Sequence, residues 1–203
     1  MCIAADSGID HAKALGRVPE LVVGDLDSAS EAGLAWGEEM GATIERHRAD
    51  KDETDLELAM VAALAARPAR VVVAAIGGGR LDHLIANLAV LTDPRYEVND
   101  VQIDALVDTS LLSVVHRRRD LRGEIGELIS LLPMHGDAGG VTTTGLGFPL
   151  SGERLRSGSS RGVSNYFASE AGTVEVETGT LLAIQPERLV RSIDGEPHPD
   201  GAR

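Results

Sequence analysis

Short apolar, β-branched segments alternate with helical patterns through the first half of the chain. Six segments are predicted to be strands: 2–5, 21–23, 43–46, 70–76, 101–107 and 111–116. Three stretches between them have apolar residues at helical spacing: 30–40, 54–66 and 81–91. Strands that alternate with helices are typical of a parallel sheet covered by helices. The pattern therefore predicts an α/β domain over 1–118, built on an open, mostly parallel sheet.

The start of the second helix is marked by a local signal. Thr54 and Glu57 have the spacing of a capping box, in which the threonine hydroxyl accepts a hydrogen bond from the first turn. Leu56, Met60 and Leu64 then follow along one helical face. We expect a helix that begins directly after Thr54.

Helical spacing disappears from about residue 119. Short apolar segments at 128–132, 173–176 and 181–184 are separated by glycines, which indicates an all-β domain over 119–190. The segment 191–203 has little to bury and is predicted to be a disordered tail.

Acidic residues and glycines follow the predicted strands. They are Asp6 after the first strand, Asp25 and Asp27 after the second, Asp50, Asp52 and Asp55 after the third, and Gly77, Gly78 and Gly79 after the fourth. The carboxyl ends of parallel strands share one edge of a sheet, where ligands bind. Crowded carboxylates repel one another unless a cation lies among them, and Mg²⁺ binds carboxylates together with substrate phosphates. The sequence predicts a magnesium site, although Asp27 or Ser28, and Asp52 or Thr54, fit equally well as helix caps.

The composition limits the classes of binding partner and the cellular location expected for the protein. A net charge of −13 argues against nucleic acid and anionic membranes as partners. Cys2 is a single cysteine, and neither an 18-residue apolar span nor a signal-peptide pattern is visible. We expect a cytoplasmic protein.

Two common nucleotide-binding motifs are excluded. Neither Lys13 nor Lys51 follows a glycine, so a phosphate loop of the Gly-x-x-x-x-Gly-Lys type does not occur. Asp82 occupies the third glycine position of a dinucleotide fingerprint that would begin at Gly77.

Five motifs in order along the chain carry a resemblance to a known family. They are Asp6-Ser7-Gly8, Gly24-Asp25-Leu26-Asp27-Ser28, Lys51-Asp52-Glu53-Thr54-Asp55, Gly78-Gly79-Arg80-Leu81-Asp82-His83 with Asn87, and Ser159-Ser160-Arg161-Gly162-Val163-Ser164-Asn165. Together they resemble the motifs of thiamine pyrophosphokinases, which transfer pyrophosphate from ATP to the thiamine hydroxyl and release AMP. The resemblance implies an N-terminal α/β catalytic domain, a C-terminal β-sandwich that binds thiamine, and a homodimer with its active site between subunits.

The resemblance also implies roles for individual residues. Metal ligands are expected at Asp25, Asp27 and Asp52, and phosphate contacts at Lys51 and Arg80, with Asp6, Gly78 and Gly79 close to the nucleotide. Asp52, Asp55 and Asp82 are candidate catalytic acids; Asp55 or Asp82 would accept the attacking proton or bind substrate. Ser164 and Asn165 would contact the aminopyrimidine of thiamine, and Tyr166 or Phe167 would stack on it. Phe148 lies in the same β domain and is a further candidate for the pocket, although core packing is its default interpretation.

The sequence departs from the family pattern at its start. Ser7 replaces a glycine in the first turn, and members of the family carry a further strand and glycine-containing turn before the segment at 2–5. An upstream segment of that kind is therefore expected. Two alternatives follow: a non-catalytic thiamine- or nucleotide-binding relative with a truncated N-terminus, and an unrelated magnesium-dependent transferase whose Asp25-x-Asp27 binds a nucleotide sugar.

Overall fold

The computed structural model describes residues 1–77, 79–99 and 101–190. The predicted tail at 191–203 lies outside the described residues. Within the described part, the chain forms two compact units that divide after Pro68. Each unit has its own sheet.

The first unit is a three-stranded parallel sheet with helices between its strands. Its strands are β1 (Ile3–Ala5), β2 (Leu21–Gly24) and β3 (Thr43–Arg46), and its helices are α1 (Gly8–Ala14), α2 (Glu31–Glu39) and α3 (Asp55–Ala65). The central strand is β2, with Val22 opposite Ala4 on one side and Ile44 on the other. Val22 is fully buried and packs with Ala4, Ile9 and Leu26. This core holds the ends of β1 and β2 next to each other.

Side-chain caps set the starts of two of these helices. The Thr54 hydroxyl accepts a hydrogen bond from the Glu57 N–H at 3.2 Å, so the predicted start of α3 is confirmed. Ser30 caps α2 in the same way through the Gly33 N–H at 2.9 Å. The sequence pattern does not predict α1, because a helix of seven residues is too short to show a clear helical period of apolar residues.

The second unit is one curled sheet with a helix between its first two strands. It contains β4 (Arg70–Ala74), α4 (Leu81–Leu91), a 3₁₀ turn (Pro94–Asn99), β5 (Gln102–Val107), β6 (Ser110–Val115), β7 (Arg118–Arg122), β8 (Leu128–Thr144), β9 (Glu153–Leu155), β10 (Asn165–Tyr166), β11 (Ala171–Glu175) and β12 (Thr178–Gln185). The strand order is β4-β5-β6-β12-β8-β11-β7, and β9 and β10 also pair with β8. Only the β4–β5 pair is parallel among these ladders of the described chain. Apolar side chains such as Ile129, Phe167 and Leu181 form its core.

The prediction of a mixed α/β fold with a parallel N-terminal sheet and a β-rich C-terminal part is confirmed. The prediction that all early strands share one parallel sheet is wrong, because β4 and β5 belong to the sheet of the second unit. The reason is local: β5 continues through a tight turn at Asp108 into antiparallel β6, which fixes the pair in the antiparallel sheet. Periodicity does not report which strands are neighbours.

None of the helices in the described part of the chain has both the length and the apolar character needed to cross a bilayer.

Candidate active site

Three aspartates meet at the carboxyl end of the first unit's sheet. Asp6 directly follows β1, and Asp25 and Asp27 follow β2. One carboxylate oxygen of each lies within 4.8 Å of the others. The arrangement arises because β1 and β2 are adjacent and parallel, and the Asp6 N–H donates to the Val23 carbonyl at 2.9 Å.

The backbone of this cluster is unusual at two non-glycine positions. Asp6 has φ of 46° and Leu26 has φ of 64°, in the left-handed region that costs a side-chain-bearing residue about 1–3 kcal/mol. The Leu26 side chain is 5% exposed and belongs to the core. Leu26 therefore anchors the turn while Asp25 and Asp27 flank it, and the Asp27 N–H donates to Asp25 Oδ1 at 3.1 Å.

Lys51 supplies a positive charge to the cluster. Its Nζ lies 2.9 Å from Asp55 Oδ1 and 3.8 Å from Asp25 Oδ2, and its side chain is only 13% exposed. The Asp55 carboxylate, followed by the charges of Asp25 and Asp6, raises the pKa of the Lys51 ammonium. Lys51 therefore stays protonated and partly neutralises the acids.

Asp55 reaches the cluster because Gly24 has no side chain. A Cβ added at Gly24 would lie 3.0 Å from the Asp55 carboxyl carbon, and φ of Gly24 is 146°. Burial raises the pKa of the Asp6 carboxyl, and the neighbouring charge of Asp55 raises it further. The negative charges of Asp6 and Asp55 therefore repel each other at this edge of the sheet.

Carboxylate oxygens at these separations are the donor set that a hard cation such as Mg²⁺ binds. Two of the three expected ligands, Asp25 and Asp27, lie in this group, together with Asp6. Asp52 is exposed and is not part of the group among the described residues. The reason is that Asp6 leaves a strand adjacent to β2, whereas Asp52 lies in the loop before α3, several residues beyond β3.

Within the second unit, an arginine and an aspartate pair at the start of α4. Arg80 is the residue before the helix, and its Nε and Nη2 donate to Asp82 Oδ1 and Oδ2 at 3.1 and 2.5 Å. The Arg80 guanidinium lowers the pKa of Asp82 to about 2. Gly79 has open space beside its Cα, and Gly78 lies outside the described residues. Arg80 is 70% exposed and accessible to a ligand.

A pocket of about 210 Å³ lies in the β-rich part of the second unit. Its lining is mostly apolar, with the polar side chains of Arg161 and Asn165. Ser164 is not among the lining residues; its N–H donates to Ser130 Oγ at 3.1 Å, and its φ is 60°.

An aromatic pair stands at this pocket. Phe148, which lines it, is 63% exposed, so its expected place in the core is wrong. Its ring meets that of Tyr166 edge to face at 5.5 Å. Phe167 is fully buried, which removes it as a stacking surface. The sequence signal for an exposed Phe148 ring is its place in a Gly-Phe-Pro segment rather than in an alternating strand.

Acidic turns with a lysine at the carboxyl ends of parallel strands are suited to binding the metal ion and the phosphates of a nucleotide, as phosphoryl-transfer enzymes do. The fold and the site thus define a transferase of the kinase kind. Residues 1–103 match the family model described as thiamin pyrophosphokinase, catalytic domain, and residues 114–181 match thiamin pyrophosphokinase, vitamin B1 binding domain. The chain belongs to the thiamin pyrophosphokinase family.

Individual relatives agree. The thiamine pyrophosphokinase of Bacillus subtilis (strain 168) is 28% identical over 189 residues, which cover 90% of this chain and 86% of the relative. A crystal structure of thiamine pyrophosphokinase from B. subtilis matches with a TM-score of 0.78 and 26% identity, over 91% of this chain and 86% of that one. A thiamin pyrophosphokinase family protein from Enterococcus faecalis matches with a TM-score of 0.77, 26% identity, and coverage of 91% and 87%. The prediction of an ATP-dependent thiamine pyrophosphokinase is confirmed.

Proposed function

We propose that Asp6, Asp25 and Asp27 form the magnesium site at which this chain transfers pyrophosphate from ATP to thiamine. The observation that carries this proposal is the approach of three carboxylate oxygens within 4.8 Å at the end of two parallel strands. When bound, Mg²⁺ neutralises phosphate charge and orients the triphosphate.

In the proposed reaction, the thiamine hydroxyl oxygen forms a bond to the β-phosphorus, the bond from that phosphorus to the α-phosphate oxygen breaks, and AMP leaves. The remaining acids and cations of the chain are assigned roles in this reaction according to their surroundings. Asp55 is our candidate to take the hydroxyl proton, because Arg80 already holds Asp82 as a carboxylate whose pKa is about 2. Lys51 and Arg80 are assigned to phosphate oxygens, and the Gly79 backbone is assigned to the nucleotide as well. Asp52, exposed in its loop, is proposed as a substrate contact.

Thiamine is an aromatic cation and binds well against aromatic faces. We assign its pocket to the cavity beside Phe148 and Tyr166, supported by the exposure of both rings and by the vitamin B1 binding model over 114–181. Asn165 lines this pocket, and Ser164, its neighbour in the chain, is proposed as a further ligand contact. We also propose that the functional division runs at 1–118 and 119–190, and that the C-terminal domain is a β-sandwich.

The homodimer with an active site shared between subunits, and a cytoplasmic location, also remain proposals. The first is tested by mixing Asp25→Asn and Phe148→Ala subunits, each impaired alone. Mixed dimers with partly restored activity support a shared site, and verified mixed dimers without recovery contradict it.

The function itself is tested by thiamine-dependent AMP release from purified protein. The Asp25→Asn variant should lose at least about 100-fold in rate, since charge neutralisation at the phosphates supplies several kcal/mol. Asp50→Asn is the matched control, because Asp50 pairs with Arg48 on the surface of the neighbouring loop. Thiamine binding without AMP release in the unmodified protein would favour a non-catalytic relative.

A further inference from the structure

The side chain of Asn165 is engaged almost entirely with the protein backbone. It is the first residue of β10 and only 6% exposed. Its Oδ1 accepts from the N–H of Phe148 and from the N–H of Tyr166, both at 2.9 Å. Its Nδ2 donates to the Phe148 carbonyl at 2.9 Å. Both lone pairs of Oδ1 are thereby used.

Phe148 depends on this side chain for its position. The residue lies in the loop between β8 and β9, where it forms no ladder with a neighbouring strand. Both of its backbone polar groups bond to the same amide of Asn165. One buried side chain thus fixes the backbone from which the exposed ring projects.

Contacts with Gly147 fix the partner ring, that of Tyr166. The Gly147 N–H donates to the Tyr166 carbonyl at 2.8 Å, and a Cβ at Gly147 would lie 2.0 Å from the Tyr166 ring. The segment 147–148 and the segment 165–166 are therefore held in close contact, and the edge-to-face pair follows from this backbone arrangement.

We propose that Asn165 is a positioning residue: it holds Phe148 against Tyr166, so that the two rings form the stacking face for thiamine, and it does not itself hydrogen-bond to the ligand. The proposal rests on the assignment of the thiamine pocket made above. It gives Asn165 a role that differs from the direct contact expected from the sequence. Affinity for the aromatic cation then depends on Asn165 only through the ring of Phe148.

A double-mutant cycle tests this dependence. The dissociation constant of thiamine is measured by calorimetry for the unmodified protein, Asn165→Ala, Phe148→Ala and the double variant. Each single change should weaken binding about tenfold, the scale of a cation–π contact. The double variant should be no weaker than Phe148→Ala within about twofold, because coupled residues do not add. A further tenfold loss in the double variant would mean that Asn165 contacts thiamine directly, and the proposal would be overturned.

A spectroscopic arm tests positioning without any ligand. Trp36 is the single tryptophan, so Trp36→Phe combined with Phe148→Trp places one reporter at the pocket. Steady-state anisotropy of the introduced indole should fall when Asn165→Ala is added, while thermal melting shows that the fold persists. Unchanged anisotropy in a folded variant would contradict the proposal. If Asn165→Ala does not fold, Asn165→Ser is measured in the same way, since it removes the bonds to Phe148 but keeps a short polar side chain.

The two arms separate the possible failures. Failure of the unmodified protein to bind thiamine would overturn the pocket assignment and, with it, the stated role of Asn165. A normal thiamine affinity together with additive losses would overturn only the positioning role.

Discussion

Replacing Lys51 by glutamine removes a positive charge from the acidic cluster and leaves its carboxylates uncompensated. At 2.9 Å, the attraction between Lys51 Nζ and Asp55 Oδ1 is about 6 kcal/mol at an effective dielectric constant of 20. Desolvation offsets most of this attraction. Removing one partner of a buried ion pair lowers the free energy of unfolding by about 3–5 kcal/mol, whereas an exposed pair contributes about 0–1 kcal/mol to it.

The exposure of Lys51 decides between these limits. Its side chain is 13% exposed, and those of Asp25 and Asp55 are 18% and 23% exposed. We therefore expect Lys51→Gln to lower the free energy of unfolding by about 2 kcal/mol, or the melting temperature by about 4–8 °C for a chain of this size. Because an added cation replaces the lost charge, Mg²⁺ should raise the melting temperature of the variant more than that of the unmodified protein.

The chain offers a matched control in its other lysine. The exposed Lys13 donates to the Ala32 carbonyl at 2.7 Å and has no part in the cluster, so Lys13→Gln should leave the melting temperature and its response to Mg²⁺ unchanged. The melting temperatures are measured by differential scanning calorimetry as the Mg²⁺ concentration is raised in roughly tenfold steps until binding saturates. An unchanged melting temperature for Lys51→Gln, or equal responses of the two variants to Mg²⁺, would refute the electrostatic reasoning.

Two further predictions follow from the site. Asp82→Asn should leave the shape of the pH profile of AMP release unchanged between about pH 5 and 8. A carboxyl with a lowered pKa stabilises the folded state above its unfolded pKa, and this contribution is lost as pH falls toward the folded value, which is about 2 for Asp82. A shifted acid limb of the profile in Asp82→Asn would make Asp82 the proton acceptor. Gly24→Ala should lower the free energy of unfolding by about 1–3 kcal/mol and displace Asp55, because φ of Gly24 is 146° and the new Cβ would lie 3.0 Å from the Asp55 carboxyl carbon. The control is Gly41→Ala, where φ is 87° and the space around the Cα is open; it should show the backbone strain without the loss of thiamine-dependent AMP release. An equal loss of AMP release in both variants would contradict the role of the close approach between Gly24 and Asp55.

Much of the local structure follows from the sequence. Short β-branched segments and helical spacing located β2, α3 and α4, and the Thr54 cap set the start of α3 to the residue. These features depend on neighbours within a few positions, so local propensity decides them. The order of five motifs also sufficed to identify the family.

Only the tertiary structure decided which residues meet. Asp6 joins Asp25 and Asp27 because β1 and β2 are paired strands, whereas the distance of Asp52 depends on the path of a loop. Phe148 and Phe167 are the same residue type nineteen positions apart, yet one ring is 63% exposed and the other is fully buried. Strand neighbours, loop paths and the burial of single side chains result from contacts between residues distant in the chain, and a local pattern carries no information about those contacts.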